Sequence, residues 1–166
     1  MNYLNITYPD VNNGSGCRVT LWVAGCPHHC KGCHNPETWD SNTGIKFGND
    51  ALNCIKKALS NTYIDGLTIS GGDPLSPENI EEVSDLCLKL HKSGLGSKNI
   101  WVYTGYNFKY LMSEYRDYLE FIEVIVDGPF IEELKDVSLP FRGSSNQRII
   151  DVQKSLEQNE VVLWKI

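Results

Sequence analysis

Four short apolar runs, each emptying into glycine, constrain this chain more than any other feature. They are Arg18–Val23 before Gly25, Gly66–Ser70 before Gly71-Gly72, Asn99–Thr104 before Gly105, and Phe121–Val126 before Asp127-Gly128. Their β-branched and apolar content is that of strands buried on both faces. The stretches between them have helical spacing. Leu52, Ile55 and Leu59 share one face of a helix over Asp50–Leu59, with Asn49 or Asp50 as its N-cap. Ile80, Val83, Leu86, Cys87 and Leu90 do the same in a second helix, which Ser76-Pro77 opens and Gly94 closes. Phe108–Leu119 reads as a third. Strands alternating with helices imply a parallel sheet with right-handed crossovers. Ligands of such sheets bind beyond the carboxyl ends of the strands, so the four glycine loops should gather into one site. With 166 residues the chain is short of the roughly 250 of an eightfold barrel. The expected fold is α/β, an open, partial (β/α) barrel of mostly parallel strands, forming a single domain over residues 1–166.

The flanks are less regular. Residues 1–16 read as irregular and 40–48 as turn-forming. Beyond the fourth strand come a short helix near 130–135, a polar loop over 142–148, and two short strands at 148–152 and 161–164. Net charge is −6 with acids and bases mixed, and no basic stripe exists, which argues against nucleic acid as a direct partner. No apolar run nears the roughly 20 residues that span a bilayer, and the start, M-N-Y-L-N-I-T-Y, lacks the pattern of a signal peptide. These features lead to a cytoplasmic reading, with no membrane partner. Thiols stay reduced in that compartment, so the six cysteines point to metal, cluster or free thiols rather than disulfides.

Half of the cysteines sit in one loop, G-C-P-H-H-C-K-G-C-H-N-P-E-T-W over residues 25–39, directly after the first of the four strands. Cys26, Cys30 and Cys33 follow the spacing C-x3-C-x2-C, and His28, His29 and His34 are interleaved with them. Soft thiolates suit zinc or an iron–sulfur cluster. A structural zinc site takes four protein ligands, often as two separated pairs. No distant C-x-x-C exists here, although a histidine could serve as a fourth ligand. Three thiolates on a four-iron cluster would leave one iron open, the mark of a reactive site. A chelating nitrogen and carboxylate could fill that position. The second loop, Gly71-Gly72-Asp73-Pro74, has what such a ligand needs: glycines that permit close backbone approach and an acidic acceptor suited to an ammonium. It is also good turn chemistry by itself.

C-x3-C-x2-C after the first strand and G-G-D-P after the second together resemble the radical S-adenosylmethionine superfamily. Further blocks are G-S-G-C-R-V (14–19), S-G-G-D-P-L (70–75), W-V-Y-T-G-Y (101–106), V-I-V-D-G-P-F (124–130) and F-R-G-S-S-N-Q-R (141–148). In order and over nearly the whole chain, they resemble one branch, the activases of anaerobic ribonucleoside-triphosphate reductase. The resemblance implies that Cys26, Cys30 and Cys33 hold a [4Fe–4S] cluster whose fourth iron is chelated by S-adenosylmethionine. It implies that Gly71, Gly72 and Asp73 bind the methionyl amino group and that the backbone around His34 faces the adenine; Thr104, which ends the third strand, is a separate candidate for a ligand contact. Reductive cleavage would yield a 5′-deoxyadenosyl radical, which removes a hydrogen from a glycine of the reductase large subunit. The polar loop (Arg142, Ser144, Asn146, Gln147, Arg148) becomes a candidate for holding substrate or that glycine loop. A low-potential electron donor such as flavodoxin is implied, and a homodimer or a complex with the reductase dimer is possible. The chain departs from the wider pattern at Gly32, where many members have an aromatic, at His34, where the activase commonly has Tyr, and at Asp73, where Glu is common elsewhere.

Three other readings stand beside this one. They are an activase of another glycyl-radical enzyme of pyruvate formate-lyase type, a radical enzyme acting on a small molecule, and a non-catalytic zinc or iron–sulfur module. Cys17 reads as a small packed residue, Cys54 and Cys87 as helix core, and His91 as a partner of its helix C-terminus. Trp101 and Tyr103 alternate with Val102, so one face of that strand should be core and the other should line the site.

Overall fold

The computed structural model describes residues 1–95 and 97–165. It is a mixed α/β structure around one seven-stranded sheet that does not close. The strands are β1 (Asn2–Asp10), β2 (Arg18–Val23), β3 (Ile45–Lys46), β4 (Gly66–Gly71), β5 (Asn99–Tyr103), β6 (Val124–Asp127) and β7 (Arg148–Asp151). Their order across the sheet is β3-β1-β2-β4-β5-β6-β7. The middle four, β2, β4, β5 and β6, run parallel, and they are the four apolar runs of the sequence. β1 pairs antiparallel with β2 and with β3, and β7 pairs antiparallel with β6.

Four α-helices accompany the sheet: α1 (Asn49–Leu59), α2 (Ile80–Leu90), α3 (Phe108–Glu114) and α4 (Val152–Gln158). Their buried residues share one cluster with one face of the strands. Ile55 and Leu59 of α1, Val83 and Leu86 of α2, and Phe108 and Leu111 of α3 pack with Leu21, Leu67, Ile69, Val102 and Ile125. The alternate strand residues form the opposite face. There Trp101, Val124, Val126 and Ile149 make a small second cluster with Tyr103, Phe141 and Trp164, beside buried Thr20, Thr68 and Ser70. The strand period of two thus sorts Ile100 and Val102 to the helices and Trp101 and Tyr103 to the other face.

That second face has a buried cation at its base. Arg18 is 0% exposed, and among the described residues no carboxylate lies within salt-bridge distance of it. Its guanidinium donates to Thr68 Oγ1 at 2.6 Å, to the carbonyls of Ser15, Leu67 and Asn99, and to Asn99 Oδ1, and it lies over the Trp101 ring. Five N–H groups meet five acceptors, which is what makes a buried charge tolerable. Burial still lowers its pKa to about 10.

Several boundaries differ from the sequence reading. Residues 2–10 form a strand, not an irregular arm; β1 is only half-buried, so it shows no continuous apolar run. Ile45–Lys46 adds an edge strand inside the region read as turn. Gly48, not Asn49 or Asp50, caps α1. The α2 ladder starts with Ile80 N–H on the Ser76 carbonyl, but the Ser76 hydroxyl caps nothing. At the other end a single π turn over His91–Leu95 brings Gly94 to φ 80°. The third helix stops at Glu114, because Tyr115 leaves helical geometry, and a separate 3-10 turn follows over Arg116–Leu119. The fourth strand begins at Val124 rather than Phe121. The 130–135 helix is one 3-10 turn, Glu132–Leu134. Of the final pair of strands, only Arg148–Asp151 forms; α4 follows directly, and 161–164 supplies just a bridge from Leu163 to Ile150. Cys87 is core, but Cys54 is exposed, one position off the face that buries Ala51, Ile55 and Ala58. Among the described residues no helix is long and apolar enough to cross a membrane.

Candidate cluster site

The loops after β2, β4, β5 and β6 meet at one edge of the sheet, as the glycine pattern requires. They enclose a cavity of about 190 Å3 lined by Cys26, Cys30 and Cys33, by Gly71 to Asp73, by Tyr103 to Gly105, and by Gly128, Phe130, Gly143 and Gln147. A larger groove of about 740 Å3, between Lys109, Arg148 and Leu163, contains none of the cysteines or glycine loops.

Backbone hydrogen bonds shape the cysteine loop. Gly25 N–H bonds the Thr38 carbonyl at 2.8 Å and Cys26 N–H the Trp39 carbonyl at 3.1 Å, closing its base. Cys33 N–H bonds the Cys30 carbonyl at 3.1 Å, making a turn at Lys31-Gly32. Gly32 sits at φ 71°, and a Cβ there would come within 2.8 Å of Glu132 Oε1. The Glu132 side chain is exposed and can swing aside, so it is the left-handed backbone at Gly32, strained for any residue with a Cβ, that favours glycine here. Lys31 ties the same carboxylate across the loop at 2.9 Å.

All three thiols are half-buried. Burial, and secondarily the Asp73 charge, pushes the Cys26 thiol up, opposed by the backbone N–H groups of His28 and His29. Asn35 N–H points at Cys33 Sγ from 3.4 Å. Donors aimed at sulfur favour thiolates and are the usual surroundings of iron–sulfur ligands. Among the described residues no three His, Cys, Asp or Glu side chains are grouped to hold a single metal ion. A four-iron cube is larger than one ion and spreads its thiolates further apart. No fourth cysteine lines the cavity, and His28 is engaged elsewhere. The residues therefore fit a cluster with three protein ligands.

Asp73 is the hub that ties the loops together. It is 1% exposed. Oδ1 accepts from Leu75 N–H and Thr104 Oγ1, both at 2.9 Å. Oδ2 accepts from Gly105 N–H at 2.9 Å and contacts His28 Nε2 at 2.7 Å. A carboxylate has about four acceptor sites, and these partners fill them. An ammonium could reach Asp73 only by displacing one of them. His28, one of the loop histidines that could have served as a fourth ligand, is instead the link from the cysteine loop to Asp73. Tyr106 packs edge-on against its ring at 4.6 Å. Nothing local signals this contact, since the two residues are 45 positions apart.

The glycines answer to packing as well as to a ligand. A Cβ on Gly71 would come within 2.7 Å of the Val23 carbonyl, one on Gly72 would strike the Gly25 carbonyl, and one on Gly105 would strike the His28 ring. The three loops can lie this close only without those side chains. His34 lines the cavity beside Phe130, with ring centroids 5.9 Å apart.

Of the polar loop, Gln147 alone among the five named residues lines this cavity. Its Oε1 accepts from Gly143 N–H and Ser144 N–H, and its Nε2 donates to the Gly128 carbonyl. Ser144 is buried and accepts from Ile131 N–H. Asn146 donates to the Pro129 carbonyl, and Arg142 to the Gln147 carbonyl. Arg148 turns away to grip buried Asp127 with Nε at 3.0 Å and Nη2 at 2.5 Å. The block is chiefly a clasp between β6 and β7. Tyr103, Phe130 and Gly143 also line the site; the strand alternation pointed to Tyr103, while Phe130 and Gly143 carried no separate signal.

An open α/β sheet with a three-cysteine loop at the carboxyl edge of its parallel strands defines a class, the cluster-binding α/β proteins. The family model described as a 4Fe-4S single cluster domain matches residues 12–150. A Haemophilus influenzae protein named anaerobic ribonucleoside-triphosphate reductase-activating protein is 44% identical over 151 residues, 90% of this chain and 97% of the relative. Proteins of the same name from Enterobacteria phage T4 and Escherichia coli K12 are each 42% identical over 149 residues, covering 90% and 89% of this chain and 93% and 96% of theirs. The chain belongs to the family of anaerobic ribonucleoside-triphosphate reductase-activating proteins.

Proposed function

We propose that the chain is a radical S-adenosylmethionine activase that installs a glycyl radical on the large subunit of an anaerobic ribonucleoside-triphosphate reductase. The observation that carries this reading is the cavity itself. Three half-buried thiols and a wall of glycine backbone face one another at the carboxyl ends of four strands, with no fourth cysteine. Cys26, Cys30 and Cys33 would hold the [4Fe–4S] cluster. Such a cluster, with S-adenosylmethionine bound beside it, would supply the reductive cleavage of the sulfonium.

The chain's own residues bind, orient and exclude water. Gly71 and Gly72 offer backbone rather than side chain to a ligand. The Gly72 carbonyl accepts no backbone hydrogen bond among the described residues, so it is free to take an ammonium proton. Asp73 is a positioning residue in this reading: it fixes His28, Thr104 and Gly105 around the ligand. His34 and Phe130 flank the cavity where an adenine would lie. A cavity of about 190 Å3 is below the roughly 300–1,000 Å3 that encloses a small-molecule ligand. A ligand as large as S-adenosylmethionine is then enclosed only in part, which suits a reactive carbon handed to a partner protein.

The sheet supports a partial barrel of the radical S-adenosylmethionine type in one single domain. The helices whose buried residues were named pack on one face, and the other face carries Thr20, Thr68, Ser70 and the ordered Arg18 cation, as the inside of a barrel wall would. The reading places the protein in the cytoplasm, with a low-potential donor such as flavodoxin, acting as a homodimer or in complex with the reductase dimer. Anaerobic reconstitution with iron and sulfide tests it. A brown protein that converts S-adenosylmethionine to methionine and 5′-deoxyadenosine on reduction, and loses both colour and turnover in Cys30→Ala, supports it. A colourless protein holding one tight zinc would sink it.

A further inference from the structure

The three histidines of the cysteine loop are placed differently. His29 and His34 are exposed, and their rings lie against those of Trp39 and Phe130. The His28 side chain is only 19% exposed. Among the described residues it alone of the three makes a side-chain hydrogen bond, from Nε2 to Asp73 Oδ2 at 2.7 Å. Both Asp73 oxygens already accept from backbone N–H groups, so Nε2 is the donor of this pair.

Three loops converge on this one imidazole. His28 brings the cysteine loop, Asp73 the loop after β4, and Gly105 and Tyr106 the loop after β5. The ring lies so close to Gly105 that a Cβ there would come within 2.4 Å of His28 Cδ2. In sequence His28 stands midway between Cys26 and Cys30, so a fixed ring fixes the span between two of the three thiols. His29, the next residue, has φ 46°, a left-handed conformation uncommon for a residue with a Cβ. Such a conformation persists where its surroundings hold it, and it is concentrated at functional sites. Partners that orient ligands from outside the ligand set are what tune a metal site.

We propose that His28 is a positioning residue: by donating to Asp73 it holds the Cys26–Cys30 span against the glycine loops, and through that span it governs how the cluster site receives S-adenosylmethionine. The hold on the loop belongs to the chain alone. Its effect on the ligand rests on the proposed function.

Two measurements on the full-length protein test this. In the first, the cluster-free, reduced protein is alkylated with iodoacetamide under anaerobic conditions. Mass spectrometry reads the rate at each cysteine, with exposed Cys54 as internal standard. In His28→Leu, which fills the space but donates nothing, the rates at Cys26 and Cys30 should rise about tenfold relative to Cys54, as loss of one hydrogen bond to a charged acceptor gives. His28→Asn, an amide one carbon short of Asp73, should follow leucine and is polar enough for folding not to be at stake. His28→Gln, whose amide N–H comes near the place of Nε2, should stay within about twofold of the parent. Parent-like rates in the leucine and asparagine variants would overturn the hold. A glutamine variant as fast as leucine would overturn the donor role.

In the second, the reconstituted, reduced protein is titrated with S-adenosylmethionine while the electron paramagnetic resonance of the cluster is read. The half-conversion concentration should rise about tenfold in His28→Leu at equal iron content, and return to within about twofold of the parent in His28→Gln. An unchanged value in His28→Leu would overturn the effect on the ligand. A parent protein whose cluster never responds to S-adenosylmethionine would overturn the proposed function and this effect together, while the alkylation rates still decide the hold on the loop.

Discussion

Replacing Asp73 is the sharpest perturbation the site offers. In Asp73→Ala, Leu75 N–H and Gly105 N–H lose their acceptor, and so do the Thr104 hydroxyl and His28. A buried donor left unpaired costs about 1–3 kcal/mol. Two backbone N–H groups alone then give about 2–6 kcal/mol, and we expect a loss of about 4 kcal/mol. Asp73→Asn keeps an oxygen toward Leu75 and Thr104 but turns an NH2 group toward Gly105 N–H and His28. It should cost about 2–3 kcal/mol, roughly one lost contact plus one opposed donor. Urea denaturation of the cluster-free protein under reducing conditions measures both, as a shift in midpoint at constant slope. Asp117→Asn, on the exposed 3-10 turn, serves as control and should stay within about 0.5 kcal/mol. If both Asp73 variants lose less than about 1 kcal/mol, the carboxylate is not the hub described here.

Other positions give independent checks. Arg18→Met leaves the carbonyls of Ser15, Leu67 and Asn99 unpaired in the interior, and should cost about 3–5 kcal/mol in the same denaturation assay. Gly72→Ala drives a methyl into the Gly25 carbonyl; about 1–3 kcal/mol of overpacking is expected, together with reduced iron content after reconstitution. Glu123 has its carboxyl pushed up by burial, against the pull of its bond from Ile100 N–H at 2.6 Å. In the fold it binds its proton more readily than in the unfolded chain, so it lowers stability as pH rises above the usual carboxyl pKa of about 4.3. Glu123→Gln, which retains an acceptor for Ile100, should flatten that fall in a stability–pH series.

Strands buried on both faces were legible. β2, β4 and β5 begin and end within a residue of the runs read from the sequence, because their apolar content is continuous. β1 was not, because half-exposed Asn, Tyr and Thr residues in an antiparallel pair leave no such run. α4 was missed because it starts on the residue after β7, capped by Asp151, with no loop to announce it. The cysteine loop and the glycine turns were legible as a gathering of loops, since topology alone brings strand ends together. The roles within it were not. Asp73 is read from the sequence as an acceptor for a ligand, yet all of its partners but Leu75 lie 31, 32 and 45 residues away in the chain. Arg142 to Arg148 likewise looks like a polar contact surface in sequence, and its inward bonds to Asp127, Gly128 and Pro129 appear only in three dimensions.

Electron paramagnetic resonance of the reconstituted protein mixed anaerobically with the reductase large subunit, S-adenosylmethionine and a strong reductant tests the central claim most directly. A glycyl radical should form on the large subunit, and neither Cys30→Ala nor omission of S-adenosylmethionine should yield one. A fully cluster-loaded protein that cleaves S-adenosylmethionine yet leaves the large subunit without a glycyl radical would contradict the assignment.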